Sequence, residues 1–334
     1  MLKVITFLAL IFITLNANKQ ITHTEPYYFS QWYIHYDKSF YIKNKIDKNA
    51  GIHGEEQLNN YTGKGIKIAI IDDDLDIYHQ DLEGIVVKTY GINKEDKLKS
   101  NHGTAVTGII AAQINNKGIR GIAPDAEILF IKHNTKLSPK EEVLLFKKAA
   151  EWGADIINCS WISYEVSKKA KAKIIDLTKT GRNKKGIIIV FSSGNGNQNN
   201  FLNESSIPNV ISVGATNKYN KRAWYSNYGK NLDIMAPGGN YIGLPALDGF
   251  THKYISYKKP NTFTGTSASA AIVSGIVALM LEKNPNLTQK EVENILKQTS
   301  DKIGNKTYIN GRNNYYGYGK INVDKLMKRV TQCK

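Results

Sequence analysis

Three side chains in this 334-residue sequence have the types and the placement needed to move a proton and form a bond. Ser267 lies in the stretch Asn261 to Lys283, where the polar turn Thr264-Gly265-Thr266-Ser267 runs into almost wholly apolar residues. His102 stands in Asn101-His102-Gly103-Thr104, and Asp72 begins the acidic triplet Asp72-Asp73-Asp74. A serine hydroxyl is a poor nucleophile until a base takes its proton, and histidine titrates in the range that suits the task. An imidazole acting as base needs in turn a carboxylate to hold its tautomer and steady the imidazolium. Order along the chain does not establish that the three meet, and a serine ahead of a helix is ordinarily only its N-cap.

The elements around these residues favour more than capping. About five helical turns apolar on every side belong in a core, so the turn before them presents Ser267 from a rigid element. Unpaired N–H groups and the positive end of the helix dipole lie beside it. Ile66 to Ile71 is a short apolar run suited to a buried parallel strand, and Asp72 falls at its carboxyl end. Apolar residues at 105, 106, 109 and 110 form a helical stripe that places His102 at a helix start. Further strands are expected at Glu127 to Lys132, Asp155 to Trp161, Gly186 to Phe191, Val210 to Ala215 and Leu232 to Met235. Helices are expected from the capping box Ser138-Pro139-Lys140-Glu141 to Trp152, near 167–180, and from Thr288 to Gln298. Strand and helix alternate from 65 to 215, the pattern of a three-layer, doubly wound, mostly parallel α/β sheet in a single domain.

Bulk composition narrows the function. The formal charge of +16 comes from thinly spread lysine, with no arginine-rich run or stacked-aromatic motif of a nucleic-acid reader. Cys159 and Cys333 are too few for a disulfide framework and are read as unpaired. Lys3, the apolar run Val4 to Leu15 and Asn16-Ala17 read as a secretory signal over residues 1–17. The run is shorter than the ~18–20 residues of a spanning helix, so export is expected, an uncleaved anchor being the less favoured reading. Residues 18–61 are an aromatic-rich lead-in that wraps a catalytic domain over 62–328, with a short tail at 329–334.

The segments IAIIDDDLD, NHGTAVTGIIAA, VFSSGNGN and FTGTSASAAIVSGIVAL resemble, in that order, the subtilisin-like serine peptidases. So do NNKGIRGIAP, INCSW, IPNVISVGA, YSNYG and LDIMAPGG between them, and the order Asp, His, Ser is that of the family. The resemblance implies an endopeptidase in which Asp72 orients, His102 is general base and then acid, and Ser267 is the nucleophile. It makes Asn195 the side-chain donor of an oxyanion hole, joined by the Ser267 backbone N–H. Ser160, Trp161, Ile162, Ser193 and Gly194 would border the bound substrate strand and its first specificity pocket. Asp81 and Asn115 correspond to a calcium position found in many subtilases, although plain loop residues would look the same. The chemistry itself would call for no cofactor.

Several residues depart from the family pattern. Asp74 replaces a common Gly after the catalytic Asp, Ala271 a common Pro, Ile162 a Gly at the pocket wall, and Glu204 a common cis-Pro. With Leu202 read as the pocket base, Ile162 should restrict the residue before the scissile bond to small or medium apolar side chains. Polypeptides are the expected partners of a monomer, with no nucleic acid and no stable membrane insertion after signal cleavage. The rival reading is a catalytically idle protein that keeps the cleft for binding peptides. A nucleotide-binding α/β domain would need a glycine-rich phosphate loop, and no such motif occurs. Amino-terminal sequencing of the protein from its producing cell should find Asn18 first; a chain beginning at Met1 and pelleting with membranes would contradict export by cleavage.

Overall fold

The computed structural model describes residues 24–332, apart from 94, 96, 134, 135, 164, 165 and 259–261. The signal-like stretch at 1–17 and Cys333 lie outside the described residues. In chain order the lead-in carries helices α1 (Lys38–Asn44) and α2 (Glu55–Asn60). Next come β1 (Lys67–Asp72), β2 (Val86–Tyr90), α3 (His102–Ala111), β3 (Glu127–Lys132), α4 (Pro139–Glu151), β4 (Ile156–Cys159), α5 (Lys168–Lys184) and β5 (Ile188–Ser192). The chain continues with β6 (Ile211–Thr216), β7 (Ile234–Pro237), β8 (Ala246–Asp248), β9 (Lys253–Ile255), α6 (Thr266–Lys283), α7 (Gln289–Thr299) and α8 (Val323–Gln332).

Seven strands form one sheet in the order β2-β3-β1-β4-β5-β6-β7, and every pairing in it is parallel. Side chains alternate between its two faces. Ile68 and Ile70 of β1 join the core shared with α3 and α6, whereas Ala69 and Ile71 join the core shared with α4 and α5. Helices on both faces make the expected three-layer α/β architecture. Because the strands are parallel, β1, β4 and β5 end at the same edge of the sheet, with Ile71 opposite Cys159 and Cys159 opposite Phe191.

Helix α6 crosses the core over this edge. Every residue from Thr266 to Leu281 is buried, and the helix packs on α3 and on β4 to β7. It is the one helix among the described residues long and apolar enough to cross a membrane, but 89% of it is enclosed by the rest of the chain, as befits a core helix. The lead-in is tied down by side chains: Trp32 Nε1 donates to the Gly243 carbonyl at 2.9 Å, and buried Lys320 donates to the Gly51 carbonyl at 2.7 Å.

Both capping boxes form as the sequence implies, Ser138 with Glu141 and Thr288 with Glu291. Three features went unforeseen. The edge strand β2 is largely exposed and so lacks an apolar run, and the β8–β9 hairpin is only three residues a side. Helix α8 occupies what was taken for the end of the domain and a tail, although Val323, Leu326, Met327 and Val330 form a buried stripe at helical spacing. Cys159 is buried and free.

Candidate active site

Asp72 and His102 meet at the carboxyl edge of the sheet. His102 Nδ1 lies 2.7 Å from Asp72 Oδ1, which also accepts from the Asp73 amide at 2.9 Å. The aspartate is buried, while the imidazole keeps 32% of its side chain exposed. Burial alone would raise the Asp72 pKa, but the charge and hydrogen bond of His102 outweigh it and hold the carboxyl below its ordinary value. Burial would likewise lower the His102 pKa; the charge and hydrogen bond of Asp72, aided by Asp73, overcome it and lift the imidazole to about 9.

Asp73 and Asp74, the two acids after Asp72, are both hydrogen-bonded. Asp73 accepts from Ser100 Oγ at 2.5 Å and from the Gly103 amide at 3.2 Å, fastening the loop that carries His102. Asp74 is buried, pairs with Lys132 at 2.9 Å and accepts from the Lys99 amide at 2.9 Å. Its φ is not among the positive values of the chain. Both acids act as anchors, because a buried carboxylate must be paired or hydrogen-bonded.

Ser267 sits in the first turn of α6. Its hydroxyl donates to the Ser160 carbonyl at 2.8 Å, and Ser160 Oγ donates back to the Ser267 carbonyl at 3.1 Å. Among the described residues no hydrogen bond joins Ser267 to His102; such bonds are often long or misaligned before substrate binds. Both residues line one cleft of about 980 Å³, together with Asn195, Gly194 and Ile162. The reciprocal serine pair is extended by Asn158, which donates to Ser160 Oγ at 3.1 Å and accepts from Ser274 Oγ at 2.9 Å. That buried chain locks the end of β4 to α6. Asn158 and Ser274 were not singled out in the sequence, where a polar residue inside an apolar run was the available signal.

The orientation of Asn195 follows from its neighbours. Its Oδ1 accepts from the Thr266 amide and from Thr266 Oγ1, each at 2.9 Å. An amide N–H can only donate, so the carboxamide oxygen must face Thr266 and the NH₂ group is left for the cleft. Thr266 Oγ1 also accepts from the Gly194 amide at 3.2 Å. Gly265, at φ +129°, leaves room for this arrangement: a Cβ there would stand 3.2 Å from Asn195 Nδ2. Thr266 is thus a positioning residue that sequence reasoning passed over. Asn227 is another, accepting from the Gly196 and Gln198 amides and donating to the Ser193 carbonyl at 2.8 Å.

The remaining expectations divide. Trp161 and Ile162 have backbone groups that make no backbone–backbone hydrogen bond among the described residues, leaving an open edge. The Trp161 indole instead turns inward and donates to the Ile71 carbonyl at 2.9 Å, one residue from Asp72. Ile162 is partly exposed and its Cδ1 crowds Gly194, where a Cβ would come within 2.8 Å. Ser193 does not line the cleft: it is fully buried, its carbonyl saturated by Asn203 and Asn227. Leu202 is 75% exposed, which places it at the mouth of the pocket rather than its base. Glu204 is fully buried, with both oxygens accepting from Ser163 through its amide and its hydroxyl, and so offers nothing to a side chain in this cleft.

Asp81 is buried beside Asn115, whose Nδ2 lies 3.2 Å from Oδ1, and Tyr254 donates to the same oxygen at 3.1 Å. The second oxygen, Oδ2, is buried without a partner, and burial raises the Asp81 pKa. An orphaned buried carboxylate oxygen fits a cation, whereas Asn115 Oδ1 accepts from the Lys117 amide at 3.0 Å and the side chain presents its Nδ2 to Asp81. Calcium takes six to eight oxygen ligands, so backbone carbonyls or water would complete the shell.

The parallel sheet with a buried helix packed on it is also the architecture of solved proteases. A protease of Pseudoalteromonas arctica superposes with a TM-score of 0.72 at 22% identity, covering 93% of this chain and 100% of that one. The serine protease of Aeromonas sobria, solved with its chaperone, gives 0.74 at 19% identity, over 93% of this chain and 68% of that one. In sequence, a profile of the subtilase family matches residues 63–319. The chain is 31% identical to a calcium-dependent protease of Trichormus variabilis, over 89% of its own length and 51% of the relative's. It is 30% identical to a thermophilic serine proteinase of a Bacillus species, over 92% of this chain and 73% of the relative. The chain therefore belongs to the subtilase family, and it spans about half the length of the Trichormus variabilis relative.

The geometry makes a direct prediction about His102. In an NMR titration its ring should remain protonated until the pH approaches about 9, the Asp72 carboxylate being the cause. Asp72→Asn removes that charge and leaves burial opposed only by the charge of Asp73, so the His102 pKa should fall well below about 9. Because the folded-state pKa is raised, the pair's contribution to stability is complete below the unfolded value and fades as pH rises through about 9. An unchanged His102 titration in Asp72→Asn would contradict the pairing.

Proposed function

We propose that the protein is an exported serine endopeptidase of the subtilase type, active on polypeptides as a monomer. The observation that carries the reading is the Asp72–His102 pair opening onto the cleft that also holds Ser267 and the locked amide of Asn195. In this account the Ser267 hydroxyl turns from the Ser160 carbonyl to His102 Nε2 as substrate enters. Once its ring has lost a proton, as it does when pH passes about 9 in the free protein, His102 takes the serine proton while Ser267 Oγ attacks the scissile carbonyl, and Asp72 holds the imidazolium through Nδ1. Asn195 Nδ2 and the Ser267 amide receive the oxyanion, a preorganised pair of donors at the positive end of α6. The tetrahedral species collapses as His102 gives its proton to the departing amine, leaving an acyl-enzyme that water opens by the reverse sequence.

Substrate would add as an extended strand along Trp161 and Ile162, where the backbone edge is open, with the side chain before the scissile bond entering the cleft beside Gly194. Ile162 narrows that entry, which supports a preference there for Ala, Val or Leu. None of these steps calls on a metal. A calcium ion held by Asp81, beside Asn115, would stabilise the loops before and after α3. The domain reading, with residues 18–61 as lead-in and 62–328 as the peptidase unit, belongs to this proposal.

Ser267→Ala should abolish peptide hydrolysis while leaving the melting temperature close to wild type; activity near the wild-type level would sink the assignment. An intact cleft that binds peptides but never cleaves them would favour the idle binding protein, a reading the Ser267–Ser160 hydrogen bond keeps open. Ile162→Gly should admit Phe and Tyr, whose overpacking against Ile162 costs ~1–3 kcal/mol in the wild type. Equal aromatic turnover in both chains would remove Ile162 from the pocket wall. Calcium at 100 times its Kd should stabilise the fold by ~2.7 kcal/mol. Asp81→Asn should erase that gain, and a melting temperature indifferent to calcium and chelator would exclude the site.

A further inference from the structure

Asparagine is abundant in this chain, but only Asn195 and Asn310 are followed by glycine. That dipeptide is chemically labile. The backbone nitrogen after an asparagine can attack the side-chain carbonyl carbon, and a glycine there has no Cβ to obstruct the approach. The two pairs sit in opposite settings. Asn310 and Gly311 are exposed at the tip of a turn closed by Ile309 and Arg312. Among the described residues neither the Asn310 side chain nor the Gly311 amide makes a hydrogen bond.

Asn195 and Gly196 are exposed as well, yet both reacting groups are held. The Gly196 amide donates to Asn227 Oδ1 at 3.1 Å, an oxygen that also accepts from the Gln198 amide at 2.8 Å. Asn227 is buried and fixed in turn: its Nδ2 donates to the Ser193 carbonyl at 2.8 Å and its amide to the Gly194 carbonyl at 2.9 Å. An amide whose proton is bonded to such an acceptor gives that proton up less readily. At the other reactant the bonds act in the opposite sense. Asn195 Oδ1 accepts from the Thr266 amide and hydroxyl, each at 2.9 Å. Two donors on a carbonyl oxygen stabilise the oxyanion that forms when a nucleophile adds to its carbon. Thr266 therefore activates the side chain toward attack, and Asn227 restrains the attacking nitrogen.

We propose that Asn195 is a deamidation site held in check by Asn227, so that the amide facing the cleft also sets the working life of the site. In the reaction the Gly196 nitrogen loses its proton to solvent and its electron pair forms a bond to Asn195 Cγ. The Cγ–Nδ2 bond breaks, and the departing nitrogen takes up a proton and leaves as ammonia. Water, the only co-reactant, then opens the five-membered imide at either carbonyl, giving Asp at 195 or an isoaspartyl link to Gly196. A carboxylate at 195 can still accept both Thr266 bonds, so the fold persists. It has no N–H to donate, and it sets a negative charge where a substrate oxyanion would form. That loss of activity is the one part of the proposal that rests on the peptidase reading.

The Ser267→Ala chain, which sets aside self-digestion, is incubated at mildly alkaline pH and mapped by mass spectrometry for Asp and isoaspartate at 195 and 310. In the folded chain Asn195 should convert about 10-fold more slowly than Asn310, the order expected when one hydrogen bond must break first. In denaturant, where neither pair is held, the two rates should converge. Adding Asn227→Ala should raise the Asn195 rate toward that of Asn310, whereas Asn227→Asp, which still accepts from the Gly196 amide, should keep it low. Equal rates at 195 and 310 in the folded chain would overturn the proposal, and so would an Asn195 rate unchanged by Asn227→Ala. Should Asn227→Ala fail to fold, the folded-against-denatured comparison decides alone. In the wild-type chain peptide hydrolysis should decline in step with conversion at 195; hydrolysis undiminished by full conversion would overturn the link to working life. A wild type that never cleaves peptides, with the rate pattern intact, would contradict the peptidase reading and leave the deamidation site in place.

Discussion

Burial of α6 is the constraint on which the rest depends. A helix enclosed from Thr266 to Leu281 cannot shift without opening the core on that face of the sheet, so whatever its first turn presents is held rigidly. The backbone enters the helix through Gly265 at φ +129°, a conformation that L side chains rarely adopt. From there Thr266 fixes the amide of Asn195, and Ser267 exchanges hydrogen bonds with Ser160 at the end of β4. Two strand ends and one helix start are thereby set against one another by buried bonds, which is what a site needs to hold donors in place before a substrate arrives.

The other half of the site is electrostatic. Three consecutive acids leave β1, and each is held differently: Asp72 through Oδ1 by His102 and a backbone amide, Asp73 by Ser100 and the start of α3, Asp74 by Lys132. Two of them fasten the scaffold so that the third can carry an unshared interaction with the imidazole.

Much of this was legible in the chain. Apolar runs ending in Asp72 and starting at Ser267 gave the strand and the core helix, and the parallel sheet followed from their alternation with helical stripes. The capping residues Ser138 and Thr288 marked their helices because a side-chain oxygen answering an N–H is a local matter. What stayed hidden depended on distant neighbours. Thr266 looked like part of a turn, and only the fold shows its hydroxyl between Gly194 and Asn195. Glu204 stood out only as a departure from the family pattern, because nothing in its flanks records that Ser163 covers it. Ser193 and Leu202 were placed one layer off, since sequence position does not say which side of a loop faces a cleft. Helix α8 was lost to the habit of treating chain ends as tails, against a clear stripe at helical spacing.

The central claim is that Ser267 is made nucleophilic by His102 held on Asp72. The most direct measurement is the rate at which a serine-directed phosphonate labels the protein, with the adduct located by mass spectrometry, in wild type and in Asp72→Asn. The account predicts one adduct per chain, on Ser267, formed far more slowly in Asp72→Asn although that variant folds. Labelling elsewhere, or labelling of Ser267 at an unchanged rate in Asp72→Asn, would contradict it.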